Sequence, residues 1–199
     1  TRLLPVAAKY GAMFILLPLA DGNIPETAEE RKKIIKNVFK KATALGFTKS
    51  DIVIDGLVMA ASSNFKAPVE TLKTIEWSSD VFGANTIVGL SNVSFGMPER
   101  KWLNAAFLAM AVSKGLTMAI ANPGVEELVN TKLAGDVLAG RDMDASRYIS
   151  HFSQMPPKVK QEDAPSHKAP EDEVFQSILE GNREDIERLL SVAMDSGMD

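Results

Sequence analysis

The feature that most constrains the fold is an alternation between short, largely apolar runs and longer amphipathic segments. The apolar runs occupy residues 12–19 (AMFILLPL), 51–56 (DIVIDG), 86–90 (TIVGL) and 117–121 (TMAIA). Strands of this composition are usually covered on both faces, as in a parallel sheet wrapped by helices. The spacing between the runs leaves room for one helix and two loops each time. The pattern therefore predicts an α/β chain built from parallel βα units.

The segments between the runs carry helix start and stop signals. Thr27 and Glu30 form a T-x-x-E capping box, and an apolar stripe at helical spacing follows as far as Gly46. Further helices are predicted over about 68–80 and 99–114. Each predicted strand is thus followed by a helix long enough to cross back over the sheet.

The start of the chain bears on how many strands the sheet contains. Residues 1–11 read as a helix that ends at Gly11, with no strand of its own before it. Four strands and their helices can form a small open sheet. They can also be the last four strands of an eight-stranded barrel, and the first and last of these then have unpaired edges. Both arrangements stay open at this point.

The character of the sequence changes after residue 123. Two shorter helices are predicted, and a Pro- and charge-rich run over 151–170 has no apolar period, which indicates a linker. Residues 171–199 read as a helical hairpin with its turn at Gly181 and Asn182. Two short helices cannot cover their own apolar faces, so we expect the hairpin to pack on a partner.

Charge and composition exclude several classes of function. The net charge of −4 offers no basic face for nucleic acid, so we expect no nucleic-acid partner. The chain has no cysteine and only two histidines, which excludes disulfides and thiolate zinc sites and gives no reason to predict a metal site. The apolar stretch AMFILLPLA is too short to span a bilayer, and no signal peptide precedes it. We therefore expect a cytoplasmic protein without a membrane partner.

Polar side chains follow all four predicted strands, at the ends where ligands bind in βα folds. They are Asp21, Asn23, Asp55, Ser91, Asn92, Ser94 and Asn122. Asp55 is the last acidic residue of a buried strand. A buried carboxylate destabilises the folded protein unless a hydrogen-bond or charge partner binds it. It could accept two parallel N–H bonds from a planar, guanidine-like ligand edge. The alternative is a structural aspartate that ties its own loop.

Two further side chains near the third strand have functional and structural interpretations. The amide of Asn92 both donates and accepts, so it can follow a ligand nitrogen whose protonation changes during a reaction. Asparagine is also a common turn residue. Arg100 could reach a ligand carboxylate, or it could be a solvated surface residue.

Three segments together resemble one family. TIVGLSNVSFGMPERKWLNAAFLAMAVSKGLTMAIANPG resembles the seventh strand, loop and helix, then the eighth strand, of the pterin-binding barrel of methyltetrahydrofolate methyltransferases, which are relatives of dihydropteroate synthase. DIVIDGLVM resembles the sixth strand, and GAMFILLPLADGNIPETAEER resembles the fifth. The resemblance covers residues 1–150. It implies that they form strands 5 to 8 of a dihydropteroate synthase-like TIM (β/α)8 barrel.

The resemblance also implies roles for individual residues. Asp55 would hold the amino-pyrimidinone edge of the pterin, and Asn92 would act catalytically at N5. Gly89 and Ser91 would let the strand end approach the ring, and Ile120 with Asn122 would line the floor of the site. The implied pterin-binding set is Asp55, Gly89, Ser91, Asn92, Ser94, Arg100, Ile120 and Asn122.

A second resemblance lies in the tail. FQSILEGNREDIERLLSVAMDSGMD is similar to the opening helices of the cap that precedes the cobalamin domain in modular methionine synthases, and no D-x-H-x-x-G motif occurs in the chain. This order implies a folate module that transfers the methyl group of 5-methyltetrahydrofolate to cob(I)alamin, a corrinoid supplied by another module. Homocysteine would be the final acceptor. The other implied partner is an N-terminal half-barrel, without which we expect the isolated chain to be inactive.

Other functions stay open at the level of sequence. One is a non-catalytic pterin-binding module or a split-gene half-barrel, and a homodimer is a further open arrangement. Another is a dihydropteroate synthase-like enzyme, whose basic S-R-K type segment is replaced here by Ser91, Asn92 and Val93. That replacement disfavours the synthase.

Overall fold

The structure is a computed structural model that describes residues 2–154, 170–179 and 183–195. Its helices and strands, in chain order, are α1 (Leu4–Lys9), β1 (Phe14–Leu16), α2 (Ala28–Thr43), β2 (Ile52–Asp55), α3 (Ala67–Glu76), β3 (Asn85–Gly89), α4 (Arg100–Ser113), β4 (Met118–Ile120), α5 (Glu126–Leu138), α6 (Ser146–Ser153), α7 (Pro170–Leu179) and α8 (Arg183–Asp195). A short 3-10 helix, Leu90–Ser94, follows β3 directly. The chain divides into two compact units, Thr1–Ile149 and Ser150–Asp199.

The strands form one parallel sheet in the order β1-β2-β3-β4. All four predicted strands are confirmed, and so is the α/β class; the parallel sheet agrees with part of a TIM barrel. The register places Asp55 opposite Ile87 and Gly89 opposite Ile120. The carboxyl ends of β2, β3 and β4 therefore lie side by side.

The two faces of this sheet differ in what covers them. Ile52, Ile54 and Val88 contribute to the two apolar cores of the first unit, which lie under the helices. Side chains alternate between faces along a strand, so Val53 and Ile87 lie on the other face, and neither belongs to those cores. Ile120 shares that face and is 60% exposed. Among the described residues, this inner face is exposed at the edge strands and buried at its centre, where Val53 and Ile87 are each 8% exposed.

The entry to α2 follows the predicted capping box. The Thr27 hydroxyl accepts a hydrogen bond from the Glu30 N–H at 3.3 Å, and the Glu30 carboxylate accepts from the Thr27 N–H at 3.2 Å. Two orphan donors of the first turn are thereby satisfied. Gly46, just beyond the helix, has a φ of 90°, as its predicted role as a stop signal requires.

The second unit contains the predicted hairpin. Helices α7 and α8 pack on each other through Val174, Leu189 and Ala193. The predicted turn at 181–182 and residues 155–169 of the predicted linker lie outside the described residues, and α6 continues through Ser153. The boundaries 1–150, 151–170 and 171–199 stay predictions. In the described part of the chain, no helix is long and apolar enough to cross a membrane.

Candidate functional site

Asp55 ends β2 in a tight turn. Its Oδ1 accepts a hydrogen bond from the Leu57 N–H at 2.9 Å, and the Gly56 N–H donates to the Ile87 carbonyl at 2.8 Å. Leu57 adopts a left-handed conformation with a φ of 51°. Burial raises the pKa of Asp55, and the Leu57 N–H opposes that shift. Among the described residues, the second carboxylate oxygen has no hydrogen bond, so it is available to a ligand.

Asn92 lies in the 3-10 helix after β3, with its amide over Gly89. A Cβ added to Gly89 would come within 3.1 Å of the Asn92 Nδ2. Asn92 itself is exposed. The absence of a side chain at Gly89 is therefore what leaves room for the amide at the strand end.

Asp55 and the Asn92 amide lie over the same face of the sheet. Asp55 is level with Ile87, and Gly89 follows Ile87 by two residues on the same face. The strand spacing and rise place the Cα atoms of Asp55 and Gly89 roughly 8 Å apart. A carboxylate and an amide thus flank a short stretch of the inner face, a separation that suits a flat bicyclic ring.

Arg100 and Ser94 stabilise the loop that carries Asn92 through hydrogen bonds within it. The Arg100 Nε donates to the Ser94 hydroxyl and its Nη2 donates to the Ser91 carbonyl, both at 3.1 Å. The Ser94 hydroxyl also donates to the Ser91 carbonyl at 3.1 Å, and Ser94 is 0% exposed. The guanidinium lies over the Phe95 ring at 4.8 Å. These contacts place Ser94 and Arg100 as supports of the loop, where the sequence predicted ligand contacts.

The other predicted residues are distributed around this pair. Ile120 is level with Gly89 on the inner face. The Asn122 Oδ1 accepts from the Gly124 N–H at 2.9 Å, in a turn before α5, and Asn122 lines a cavity of about 310 Å³ between α4, β4 and α5. That cavity contains neither Asp55 nor Asn92. Within the described residues, no cluster of His, Cys, Asp and Glu could hold a metal ion.

Two contacts that the sequence did not predict join the loops after β2 and β3. The Ala61 N–H donates to the Val93 carbonyl at 2.9 Å, and the Ser62 hydroxyl donates to the Phe95 carbonyl at 2.6 Å. They link the loop that follows Asp55 to the loop that carries Asn92. No local pattern signals them, because each joins residues more than thirty positions apart along the chain.

Replacing Gly89 by alanine should lower the activity of the site without unfolding the protein. The new methyl group would meet the Asn92 amide at 3.1 Å and displace it by a few tenths of an ångström. In a barrel completed by a second half, we expect about a tenfold loss in turnover, in line with the cost of misplacing a group at a reacting centre. Gly135→Ala serves as a control, because Gly135 has no positive φ and a Cβ there makes only ordinary van der Waals contact, with Val112 at 3.4 Å. Unchanged turnover in Gly89→Ala would remove Gly89 from the site.

The comparisons with known proteins agree with the fold. The profile of the pterin-binding enzyme family matches residues 1–122, which contain all four strands. The chain is 29% identical over 170 residues to methylcorrinoid:tetrahydrofolate methyltransferase of Eubacterium limosum, in an alignment that covers 75% of this chain and 61% of that protein. The chain thus spans less than two thirds of the length of this curated relative. The chain belongs to the pterin-binding enzyme family.

Proposed function

We propose that this chain is the pterin-binding part of an enzyme that transfers a methyl group between tetrahydrofolate and a corrinoid. The observation that carries the proposal is the placement of Asp55 and the Asn92 amide over one face of the sheet, at neighbouring strand ends. The curated relative supports it, since its name pairs the same two classes of substrate.

The groups at these strand ends suit the binding of a reduced pterin. The free carboxylate oxygen of Asp55 would accept from the amino-pyrimidinone edge, which presents parallel N–H groups. Gly89 lacks a side chain, so the ring can approach the strand end. Ile87 and Ile120 supply apolar surface on the same face. Ser91, Ser94 and Arg100 would hold the loop, and Asn122 would lie at its margin.

Asn92 would act at N5 of the pterin, the atom that carries the methyl group. The pterin is a poor leaving group when the methyl group departs from N5, unless N5 is protonated or hydrogen-bonded in the transition state. The Asn92 amide can donate through Nδ2 or accept from a protonated N5 through Oδ1, so it can serve both states of that nitrogen. Such an interaction is strongest in the transition state, which makes it catalytic.

The corrinoid supplies or accepts the methyl group. We propose that it is brought by another module or protein, and that the physiological direction runs from 5-methyltetrahydrofolate to cob(I)alamin. The relative's name gives the reverse direction, and a site that stabilises the transition state serves both directions. In the finer form of the proposal, the chain is the folate module of a cobalamin-dependent methionine synthase, with homocysteine as the final acceptor. A cytoplasmic location stays a prediction.

We further propose that the four strands act together with another half-barrel. Within the described residues, β1 and β4 are edge strands, and their inner-face residues Ile15 and Ile120 are 46% and 60% exposed, so a pterin would be enclosed on one side only. We expect negligible methyl transfer by the 199-residue chain alone. Turnover should appear when a polypeptide supplying strands 1 to 4 is co-expressed.

The test is an assay with 5-methyltetrahydrofolate and a reduced corrinoid, followed by the change in corrinoid absorbance. Rapid turnover by the chain alone would contradict the need for a second half-barrel. Absence of turnover in a folded, completed barrel would contradict methyl transfer. Pterin binding without turnover would instead favour a non-catalytic module.

A further inference from the structure

Arg31 is a fully buried cation that the proposed chemistry does not use. It lies on α2 and is 0% exposed. Burial lowers its pKa, and nearby Glu70 opposes that shift. Among the described residues no carboxylate lies within salt-bridge distance of its guanidinium, and Nη2 has no hydrogen-bond partner. A buried charge without a salt bridge is costly, and the charge-assisted hydrogen bonds that Arg31 forms offset part of that cost.

Those hydrogen bonds join two loops at the strand ends. The Arg31 Nε donates to the Pro25 carbonyl at 2.9 Å, in the loop after β1. Its Nη1 donates to the Gly56 carbonyl at 2.8 Å and to the Thr71 hydroxyl at 3.2 Å. Two nitrogens of one planar group thus fix loops that follow neighbouring strands.

The contact with Gly56 bears directly on Asp55. The Gly56 carbonyl and the Leu57 N–H belong to one peptide plane, and no peptide bond in the described part of the chain is cis. Arg31 binds this plane at its oxygen, and Asp55 Oδ1 binds it at its N–H. The direction of the carboxylate is therefore tied to the guanidinium through one rigid unit.

The turn needs such support from outside. Leu57 has a left-handed backbone, which is unfavourable for a residue with a branched side chain. The Thr71 hydroxyl, which accepts from Arg31, lies 3.3 Å from the Leu57 carbonyl. A cation at the Gly56 oxygen also polarises the peptide and makes the Leu57 N–H a better donor to Asp55.

We propose that Arg31 is a positioning residue, which holds the turn after β2 so that the Asp55 carboxylate faces the pterin. The inference rests on the proposed function for the identity of the ligand. The effect of Arg31 on the turn does not depend on the proposed function. The effect on the turn and the binding of the ligand can therefore be measured separately.

The test compares Arg31→Met with Ile35→Ala in the 199-residue chain. Ile35 is also fully buried, one turn further along α2, and belongs to an apolar core that does not include residues 55–57. Two quantities are measured by NMR: hydrogen exchange of the Leu57 amide relative to amides of β3, and the affinity for 5-methyltetrahydrofolate in a titration to millimolar concentration. Arg31→Met should speed Leu57 exchange about tenfold and weaken the affinity about tenfold, the effect of losing one charge-assisted hydrogen bond.

The control variants separate positioning from general stability. Ile35→Ala should lower the melting temperature while leaving relative Leu57 exchange and pterin affinity unchanged. Arg31→Lys should restore these quantities in part, because an ammonium can reach one of the two carbonyls but not both. Should Arg31→Met fail to fold, Thr71→Val removes the bridging hydroxyl at nearly constant volume and should speed Leu57 exchange.

Each outcome decides one of the two proposals. If Arg31→Met and Ile35→Ala change Leu57 exchange equally, Arg31 is a general stabiliser and the positioning role is wrong. If neither the chain nor a completed barrel binds 5-methyltetrahydrofolate, the proposed function is wrong, while Leu57 exchange still shows whether Arg31 holds the turn. Faster exchange with unchanged affinity would overturn the link between the turn and the ligand.

Discussion

In a completed barrel, Asn92→Ala is expected to lower kcat for methyl transfer about 10²- to 10⁴-fold, the usual contribution of a group that acts on a proton in the transition state. The affinity for 5-methyltetrahydrofolate should stay nearly unchanged. The reason is that the amide acts at N5, where charge develops only as the methyl group leaves. Rates come from rapid-mixing experiments on the corrinoid absorbance, and affinities from calorimetry.

Asn85→Ala is the matched control for this experiment. Asn85 is an exposed asparagine at the start of β3, at the opposite end of that strand from the 3-10 helix that carries Asn92. Its replacement should leave both kcat and affinity as they are. A loss confined to affinity in Asn92→Ala, with kcat unchanged, would make Asn92 a binding residue only.

Asp55→Asn is expected to weaken pterin binding about 100-fold, because the charged acceptor is lost and the NH2 group of the amide cannot accept from the N–H groups of the pterin. The same change should raise the stability of the free protein at neutral pH. Burial raises the pKa of Asp55, so its protonated form is favoured in the folded state. The associated stability is present below the ordinary pKa of an aspartate and is lost as the pH rises through the raised pKa.

The pH dependence gives this prediction a distinct signature. The stability gained by Asp55→Asn should vanish in acid, and pterin affinity of the unmodified protein should fall as the pH falls through the raised pKa of Asp55. Asp51→Asn is the control, and its effect on stability at neutral pH is expected to have the opposite sign. Hydrogen bonds from the Thr48 N–H and hydroxyl lower the pKa of Asp51, so its replacement should reduce stability at neutral pH and leave affinity alone. Melting temperatures across pH measure both, and a loss of stability at neutral pH in Asp55→Asn would contradict the account.

The fold was largely predictable because its signals are local. An apolar run of strand length, a capping box at Thr27 and a glycine at 46 each act within a few residues, and the parallel sheet follows from their order. Asp55 could be identified as well, since a carboxylate after a buried strand needs a partner. At the end of β2, one Asp55 oxygen binds the Leu57 N–H, as the structural interpretation expects, and pterin binding by the other oxygen stays a prediction.

The supports of the site were harder to predict because they are tertiary. Ser94 and Arg100 lie near Asn92 in sequence, but the 3-10 helix places residues i and i+3 over one another. Ser94 therefore meets Ser91 inside the loop and not a ligand outside it. Arg31 precedes Ile34 by three residues and Ile35 by four, so it lies on the apolar stripe of α2. A charged residue at such a position indicates a buried side chain with a specific role. Its partner Thr71 lies forty positions away and could not be read from the sequence.

An NMR titration of the isotope-labelled chain with 5-methyltetrahydrofolate tests most directly whether Asp55 and Asn92 face one ligand. The account predicts that amides of residues 55–57 and 89–92 shift together and follow one binding curve, even where binding is weak. Shifts confined to one of these segments, or to residues elsewhere in the chain, would contradict it.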